Sequence, residues 1–334
     1  MINYILILVS ALVIVIVTTP FAKRMALRLG FIDHPSERRV HTSPLPRLGG
    51  VAIYIACILA LLLSNRFYMP QLISIMLGAT IVSFLGIWDD YRTLKPVIKL
   101  AGQVLAGLIL VFSGIKVGFL PYESLNIIAT LLWIVVITNA LNLLDNMDGL
   151  SGGVATIACA FYLLISVMTG QYLVASLAAA LLGACLGFLY YNFNPASIFM
   201  GDSGSLFIGF LLATIGIKLR FPSNVAFVTW MVPVVVLGLP LFDTTLVIIS
   251  RLRKGLNPLT TPGKDHVSHR LVATGATQRE AVLILYLVCC CFGLTAMFLM
   301  HANIFEGYLI GTLLFVVALY AIWRMEKIMF QGKS

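Results

Sequence analysis

The chain has 334 residues, 60% of them hydrophobic and 10% charged, with a formal net charge of +9 and a mean hydropathy of +1.02. A soluble domain carries about 25% charged residues, so the composition excludes an ordinary globular protein and implies an all-α polytopic membrane protein. The positive charge is not a nucleic-acid signature, because no basic helix or aromatic–basic platform accompanies it.

Apolar segments bounded by Pro, Gly or charge fall near 2–20, 48–64, 70–88, 99–113, 123–141, 152–168, 171–190, 204–219, 225–250, 280–300 and 304–323. They predict about eleven transmembrane helices in a single integral-membrane domain, 1–334, although several are shorter than the ~20 residues a straight span needs. The first segment has no Lys or Arg before it, is long, and lacks an A-x-A site. It therefore reads as a retained helix and not a signal peptide. Cys57, Cys159, Cys185, Cys289, Cys290 and Cys291 lie inside apolar runs without a C-x-x-C, which suits core packing. The ninth segment is interrupted by Pro233, Gly238 and Pro240 before Phe242 and Asp243. Broken helices at membrane depth line cavities or are covered by protein.

With the N-terminus outside, eighteen Lys and Arg fall on one side, in 21–47, 89–99, 251–279 and the C-terminus, and four on the other. The positive-inside rule puts the eighteen, and the C-terminus, in the cytoplasm. Loops 142–151 and 191–203 share that side but carry no basic residue. Of the acids, only Glu123 and Glu306 clearly belong outside. Asp89, Asp90, Asp145, Asp148 and Asp202 lie on cytoplasmic helix ends, in three separate loops.

The fifth segment ends in amides and carboxylates spaced by three: Asn139, Asn142, Asp145 and Asp148. On a helix each successive member is rotated by about 60°, and such oxygens at a membrane surface suit a hard cation such as Mg²⁺. Asp148 before Gly149 is equally suited to cap the next helix. Asp89-Asp90 is an adjacent pair whose members repel; it fits metal binding, general-base work or a solvated loop. Lys99, with Gln103 one turn on, fits a phosphate contact or a snorkelling lysine. Gly201, Ser203, Gly204 and Ser205 open the eighth helix with backbone N–H groups suited to phosphate, and Asp202 is placed to hold its metal. Phe199 stacks on a base or simply fills the core. In the last loop His266, His269 and Arg270 can reach one anionic group; two His at i,i+3 without Cys are a weak zinc signature. A basic loop opposite acidic, metal-binding loops is the layout expected for a diphosphate substrate.

These motifs together resemble the polyprenyl-phosphate N-acetylhexosamine-1-phosphate transferases, the superfamily of WecA, TagO and MraY. The resemblance is carried by Asn142-Leu-Leu-Asp145-Asn-Met-Asp148-Gly-Leu, Asp89-Asp90, Phe199-Met-Gly201-Asp202-Ser-Gly-Ser, His266-x-x-His269-Arg-Leu, and Arg38, Pro46, Gly49 and Gly50 in the first loop. It spans nearly the whole chain. It implies a multi-pass enzyme of the bacterial inner membrane, with an MraY-like fold and a cytoplasmic active site built from loops 21–47, 89–99, 142–151, 191–203 and 251–279. The implied reaction moves N-acetylhexosamine 1-phosphate from a UDP-N-acetylhexosamine to undecaprenyl phosphate, starts lipid-linked cell-envelope glycan synthesis, and releases UMP with Mg²⁺, or Mn²⁺ in its place.

By the same resemblance Asp202 holds the metal with Asn142 nearby. Asp89 or Asp90 acts on the lipid phosphate, and His269 joins them as catalytic. Asp148, Asn192 and Phe199 surround uridine, Asp145 lines the centre, and Lys99, His266 and Arg270 contact phosphates or sugar. The His-x-x-His-Arg-Leu form matches the WecA/TagO branch, which uses UDP-N-acetylglucosamine or relatives, whereas MraY-like members carry three histidines followed by Phe-Glu. Ser268 stands where that branch usually has another histidine, and Val97 where it often has lysine. A homodimer is compatible with this reading. The rival readings are a transporter, whose site would lie near the bilayer midplane and whose fold would show an inverted repeat, an MraY-type phospho-N-acetylmuramoyl-pentapeptide transferase, and a structural membrane scaffold. The scaffold leaves the acidic cluster unexplained.

Overall fold

In a computed structural model the described residues are 2–33, 44–63, 70–258, 261 and 263–331; Arg38 lies outside them. The chain runs α1 (Ile2–Leu29), β1 (Ile32–Asp33), β2 (Leu45–Pro46), α2 (Gly49–Leu63), α3 (Pro70–Tyr91), α4 (Pro96–Phe112), α5 (Glu123–Leu144), α6 (Leu150–Met168), α7 (Tyr172–Asn192), α8 (Gly201–Lys218), α9 (Ala226–Thr229), α10 (Met231–Val236), α11 (Gly238–Arg253), α12 (Val267–Ala273), α13 (Gln278–Leu299) and α14 (Ile304–Gln331). β1 and β2 form an antiparallel ladder, Ile32 opposite Pro46 and Asp33 opposite Leu45, which the hydropathy pattern does not reveal.

Each expected apolar segment coincides with a helix or a helix pair. Among the described residues seven helices are long and apolar enough to cross a membrane, and eight if the bent pair Ala226–Val236 and Gly238–Arg253 is one span. The count of eleven spans is therefore not reached on length and composition: α2 and α4 are short apolar helices, and α8 does not qualify either. The ninth segment breaks by 73°, at Leu237 between Pro233 and Pro240, because proline removes a backbone donor and crowds the preceding turn.

The chain divides into two compact units, Met1–Arg220 and Phe221–Ser334. In the first, α8 is the central helix: every residue from Ser203 to Ile217 is buried, among α2, α3, α5, α6 and α7. A helix that is apolar all round belongs in such a core. Within a bilayer, helices associate through close backbone approach at small residues. A Cβ on Gly50 would lie 2.0 Å from the Gly204 nitrogen, and one on Gly86 2.4 Å from the Asp202 carbonyl oxygen. These two glycines let α2 and α3 meet the first turn of α8. Four of the six cysteines are buried, as expected of packing residues; Cys290 is half-buried and Cys291 exposed.

In the second unit α10 and α11 pack on α13, and α12 sits between α13 and α14. α13 begins with a capping box formed by Thr277 and Glu280, which satisfies two otherwise orphaned backbone donors.

Candidate active site

The acidic site of the first unit is built at the start of α8. Its first turn leaves N–H groups without helical partners, and these do not wait for a phosphate. The Asp202 and Ser203 N–H groups donate to Asp90 Oδ1 and Oδ2 at 2.9 and 3.0 Å. Asp90, at the end of α3, has a side chain with 0% exposure and caps α8 from a neighbouring helix. The phosphate cradle expected at Gly201–Ser205 is thus corrected: a protein carboxylate already satisfies the helix dipole there. Gly201 has φ +69°, and a Cβ on it would lie 2.5 Å from Asp90 Oδ2, so glycine is required on both counts.

Asp89 points elsewhere. Its Oδ1 accepts the Leu94 N–H at 2.6 Å, which closes the turn into α4, and its Oδ2 accepts Lys99 Nζ at 2.9 Å. The same ammonium lies 2.9 Å from Asp202 Oδ2. Pro96 at the first position of α4 presets the helical φ and puts Lys99 one turn in. Carboxylates 113 positions apart in sequence therefore converge on one cation. Asn142 donates to Ser205 Oγ at 2.8 Å and hydrogen-bonds Asp202, so it orients that carboxylate from behind.

α5 ends at Leu144 and Asp145 is its C-cap, so the four-residue series does not wind on around one helix. Asn139 pairs reciprocally with buried Gln103, at 2.6 and 3.4 Å, beneath the site. Part of Asp145 remains open, yet burial, the field of Asp202 and those of Asp90 and Asp148 push its carboxyl up to about 8, against the pull of Arg47. Asp148 does not cap α6. Its Oδ2 accepts Asn194 Nδ2 at 3.0 Å and the Ala196 N–H at 2.9 Å, because the loop after α7 folds over it. Asn192 is buried, and both ends of its amide are engaged, accepting from Gly149 N–H and donating to Ile198 O. It staples two loops. Phe199 is half-buried, and its backbone binds Gly49 and Pro46.

Sequence reasoning passed over Arg47, whose guanidinium lies 3.5 Å from Asp33 and 3.6 Å from Asp90. The available signal was its place in Pro46-Arg47-Leu-Gly49-Gly50, among motif residues.

The second unit holds the histidine loop, where most charges are matched internally. Arg251 Nε and Nη2 donate to Asp265 at 2.8 and 3.1 Å. Burial would raise the Asp265 carboxyl, but Arg251 holds it below its ordinary value. Arg270 is 2% exposed; it donates to Asp265 O, to Met325 O and, at 2.9 Å, to Glu326 Oε1. A guanidinium so engaged braces the loop on α14. His266 Nδ1 lies 2.7 Å from Asp243 Oδ2. Burial first, and then the neighbouring His266 and Lys264, draw His269 down to about 4, so it is neutral at physiological pH. His266, His269 and Arg270, expected to reach one anionic group, thus lie in a braced loop in which Glu326 pairs with Arg270 and His269 is neutral.

Among the described residues no group of three or more His, Cys, Asp or Glu is arranged for a metal. Mg²⁺, however, is commonly held by one or two carboxylates together with substrate phosphates. Asp89 and Asp202 meet that description, since they already share one cation in Lys99.

Residues 72–220 match the family described as glycosyl transferase family 4. A probable undecaprenyl-phosphate N-acetylglucosaminyl 1-phosphate transferase of Bacillus subtilis is 36% identical over 325 residues, covering 95% of this chain and 90% of that one. A decaprenyl-phosphate N-acetylglucosaminephosphotransferase of Mycolicibacterium smegmatis is 33% identical over 315 residues, 83% of this chain and 77% of that one. An undecaprenyl-phosphate alpha-N-acetylglucosaminyl 1-phosphate transferase of Escherichia coli O157:H7 is 26% identical over 285 residues, 80% of this chain and 76% of that one.

Proposed function

The chain belongs to glycosyl transferase family 4, the polyprenyl-phosphate N-acetylhexosamine-1-phosphate transferases, and on that premise we propose that it transfers N-acetylglucosamine 1-phosphate from UDP-N-acetylglucosamine to undecaprenyl phosphate and releases UMP. The observation that carries the reading is the convergence of Asp89 and Asp202 on Lys99 at 2.9 Å each. Carboxylates in excess at a membrane-helix end, around one lysine, suit a diphosphate that arrives with a divalent cation. The names of the relatives favour N-acetylglucosamine and a polyprenyl phosphate over the pentapeptide donor, and family membership displaces the transporter reading.

Asp202 and Asp89 would hold Mg²⁺, with Asn142 and Lys99 fixing their carboxylates. When bound, the ion would neutralise charge on the phosphates. Asp89, with 11% of its side chain exposed against 0% for Asp90, is the member of the pair that meets the lipid phosphate and positions it. Asp90 keeps Asp202 in place by capping its helix. Asp148 and Phe199 border the uridine, and His266 and His269 are the substrate-contacting residues of the second unit. The eighteen-to-four split of basic residues supports a bacterial inner-membrane enzyme with its N-terminus outside and its site in the cytoplasm. A cysteine at exposed Lys254 should react only from the cytoplasm and one at exposed Ser223 only from outside; the reverse labelling would overturn the orientation.

The test is purified protein with undecaprenyl phosphate and a panel of UDP-sugars, reading UMP. Release with UDP-N-acetylglucosamine, lost in chelator and restored by Mg²⁺ or Mn²⁺, is expected. Release only with UDP-N-acetylmuramoyl-pentapeptide, or full activity in chelator, would overturn the donor or the metal respectively.

A further inference from the structure

Asp243 lies in α11, just past the break in the ninth segment, and is 1% exposed. Its two oxygens do different things. Oδ1 accepts the Val267 N–H at 2.8 Å and so caps α12, while Oδ2 lies 2.7 Å from His266 Nδ1. The neighbouring acid, Asp265, is occupied by Arg251. Among the described residues His266 is the only ionic partner of Asp243. A carboxylate accepts hydrogen bonds and does not donate them. Its contact therefore requires the proton on Nδ1 and leaves Nε2, on the far side of the ring, as the unprotonated nitrogen of the neutral ring.

We propose that Asp243 is a positioning residue for the transfer reaction, fixing His266 in the Nδ1–H tautomer and in one ring orientation so that Nε2 serves the sugar-diphosphate donor. The proposal rests on the transferase reading for the role of His266. The break in the helix has a use in this arrangement. A carboxylate just past the break can reach both the first N–H of α12 and the histidine that precedes it. Asp243 thereby ties loop position to ring orientation.

The decisive variant is Asp243→Asn. Its amide oxygen can still accept the Val267 N–H, which keeps the cap, but its NH₂ then faces Nδ1 and drives the ring proton to Nε2. The thermal midpoint should stay within a few degrees of the wild type, kcat should fall by about 10²–10³-fold, the range for removing one positioned electrostatic group, and KM should change little. In a His266→Gln background the same change should have no further effect on kcat, because residues acting through one another are not additive. ¹⁵N spectra of histidine-labelled protein should show the His266 tautomer reversed in Asp243→Asn. Unchanged kcat, multiplicative losses in the double variant, or an unaltered tautomer would overturn the proposal. If the wild type itself released no UMP, the transferase reading would fall, while the tautomer spectra would still decide the Asp243–His266 assignment.

Discussion

Among the described residues around α8, Asp89, Asp90, Asp145, Asp148 and Asp202 are set against two basic side chains, Lys99 and Arg47, whereas in the histidine loop Asp265 pairs with Arg251, Glu326 with Arg270 and Arg253, and Asp243 with His266. Both regions are rich in charge and both bear sequence motifs. In the first, negative charge is in excess and the Asp145 carboxyl is pushed up to about 8 by burial and the fields of its acidic neighbours. In the second, each acid has its base. Charge without a protein counter-charge marks where a ligand must supply it, and arginine–carboxylate charge matched in buried pairs marks a scaffold, on which Asp243 holds His266. The two regions should accordingly fail in different ways when mutated.

The largest expected effect lies on the matched side. Arg270→Ala leaves Glu326 buried without its closest partner, and removing one member of a buried pair costs about 3–5 kcal/mol. Thermal unfolding in detergent should show the loss, and Arg270→Met with Glu326→Leu should recover much of it. A melting curve unchanged in Arg270→Ala would erase the distinction between the regions.

On the unmatched side the loss should be in turnover. Asp202→Asn should lower kcat by about 10²–10³-fold, as removal of one electrostatic element does, with the midpoint near that of the wild type. Equal loss of stability would make Asp202 structural instead.

The adjacent pair sharpens the comparison, since one member belongs to each class. Asp90→Ala removes a cap from α8 and should cost about 0.5–2 kcal/mol, seen in the midpoint. Asp89→Asn should keep the midpoint while slowing turnover. The reverse pattern would exchange their roles.

The smallest effect concerns pH. Asp145 holds its proton more tightly folded, at about 8, than unfolded, near 3.9. Folding is therefore favoured below the unfolded value and loses stability as pH rises through 4 to 8. Asp145→Asn should raise the midpoint more at pH 8 than at pH 6, measured in chelator so that no divalent cation competes. A gain independent of pH would remove the charge argument.

The membrane class, the helical segments, the break at Pro233–Pro240 and the grouping of acids were legible in the sequence, because hydropathy and proline act locally and their effect is written residue by residue. Asp89, Lys99, Asn142, Asp145 and Asp202 stood out for the same reason: polar groups at the end of apolar helices are costly and conspicuous. Only the tertiary structure decided which of them are partners. Asp90 looks like Asp89 in sequence, yet Gly86 lets α3 touch α8, and that contact turns Asp90 into a helix cap. Arg270 looks like a phosphate ligand until α14 brings Glu326 beneath it. Asn192 reads as a base-binding amide until Gly149 and Ile198 satisfy both of its ends. Composition and periodicity fix what a residue can do, but hydrogen bonds and ion pairs act over about 3 Å, and which groups come that close is set by helix packing between segments as many as 175 positions apart in the chain.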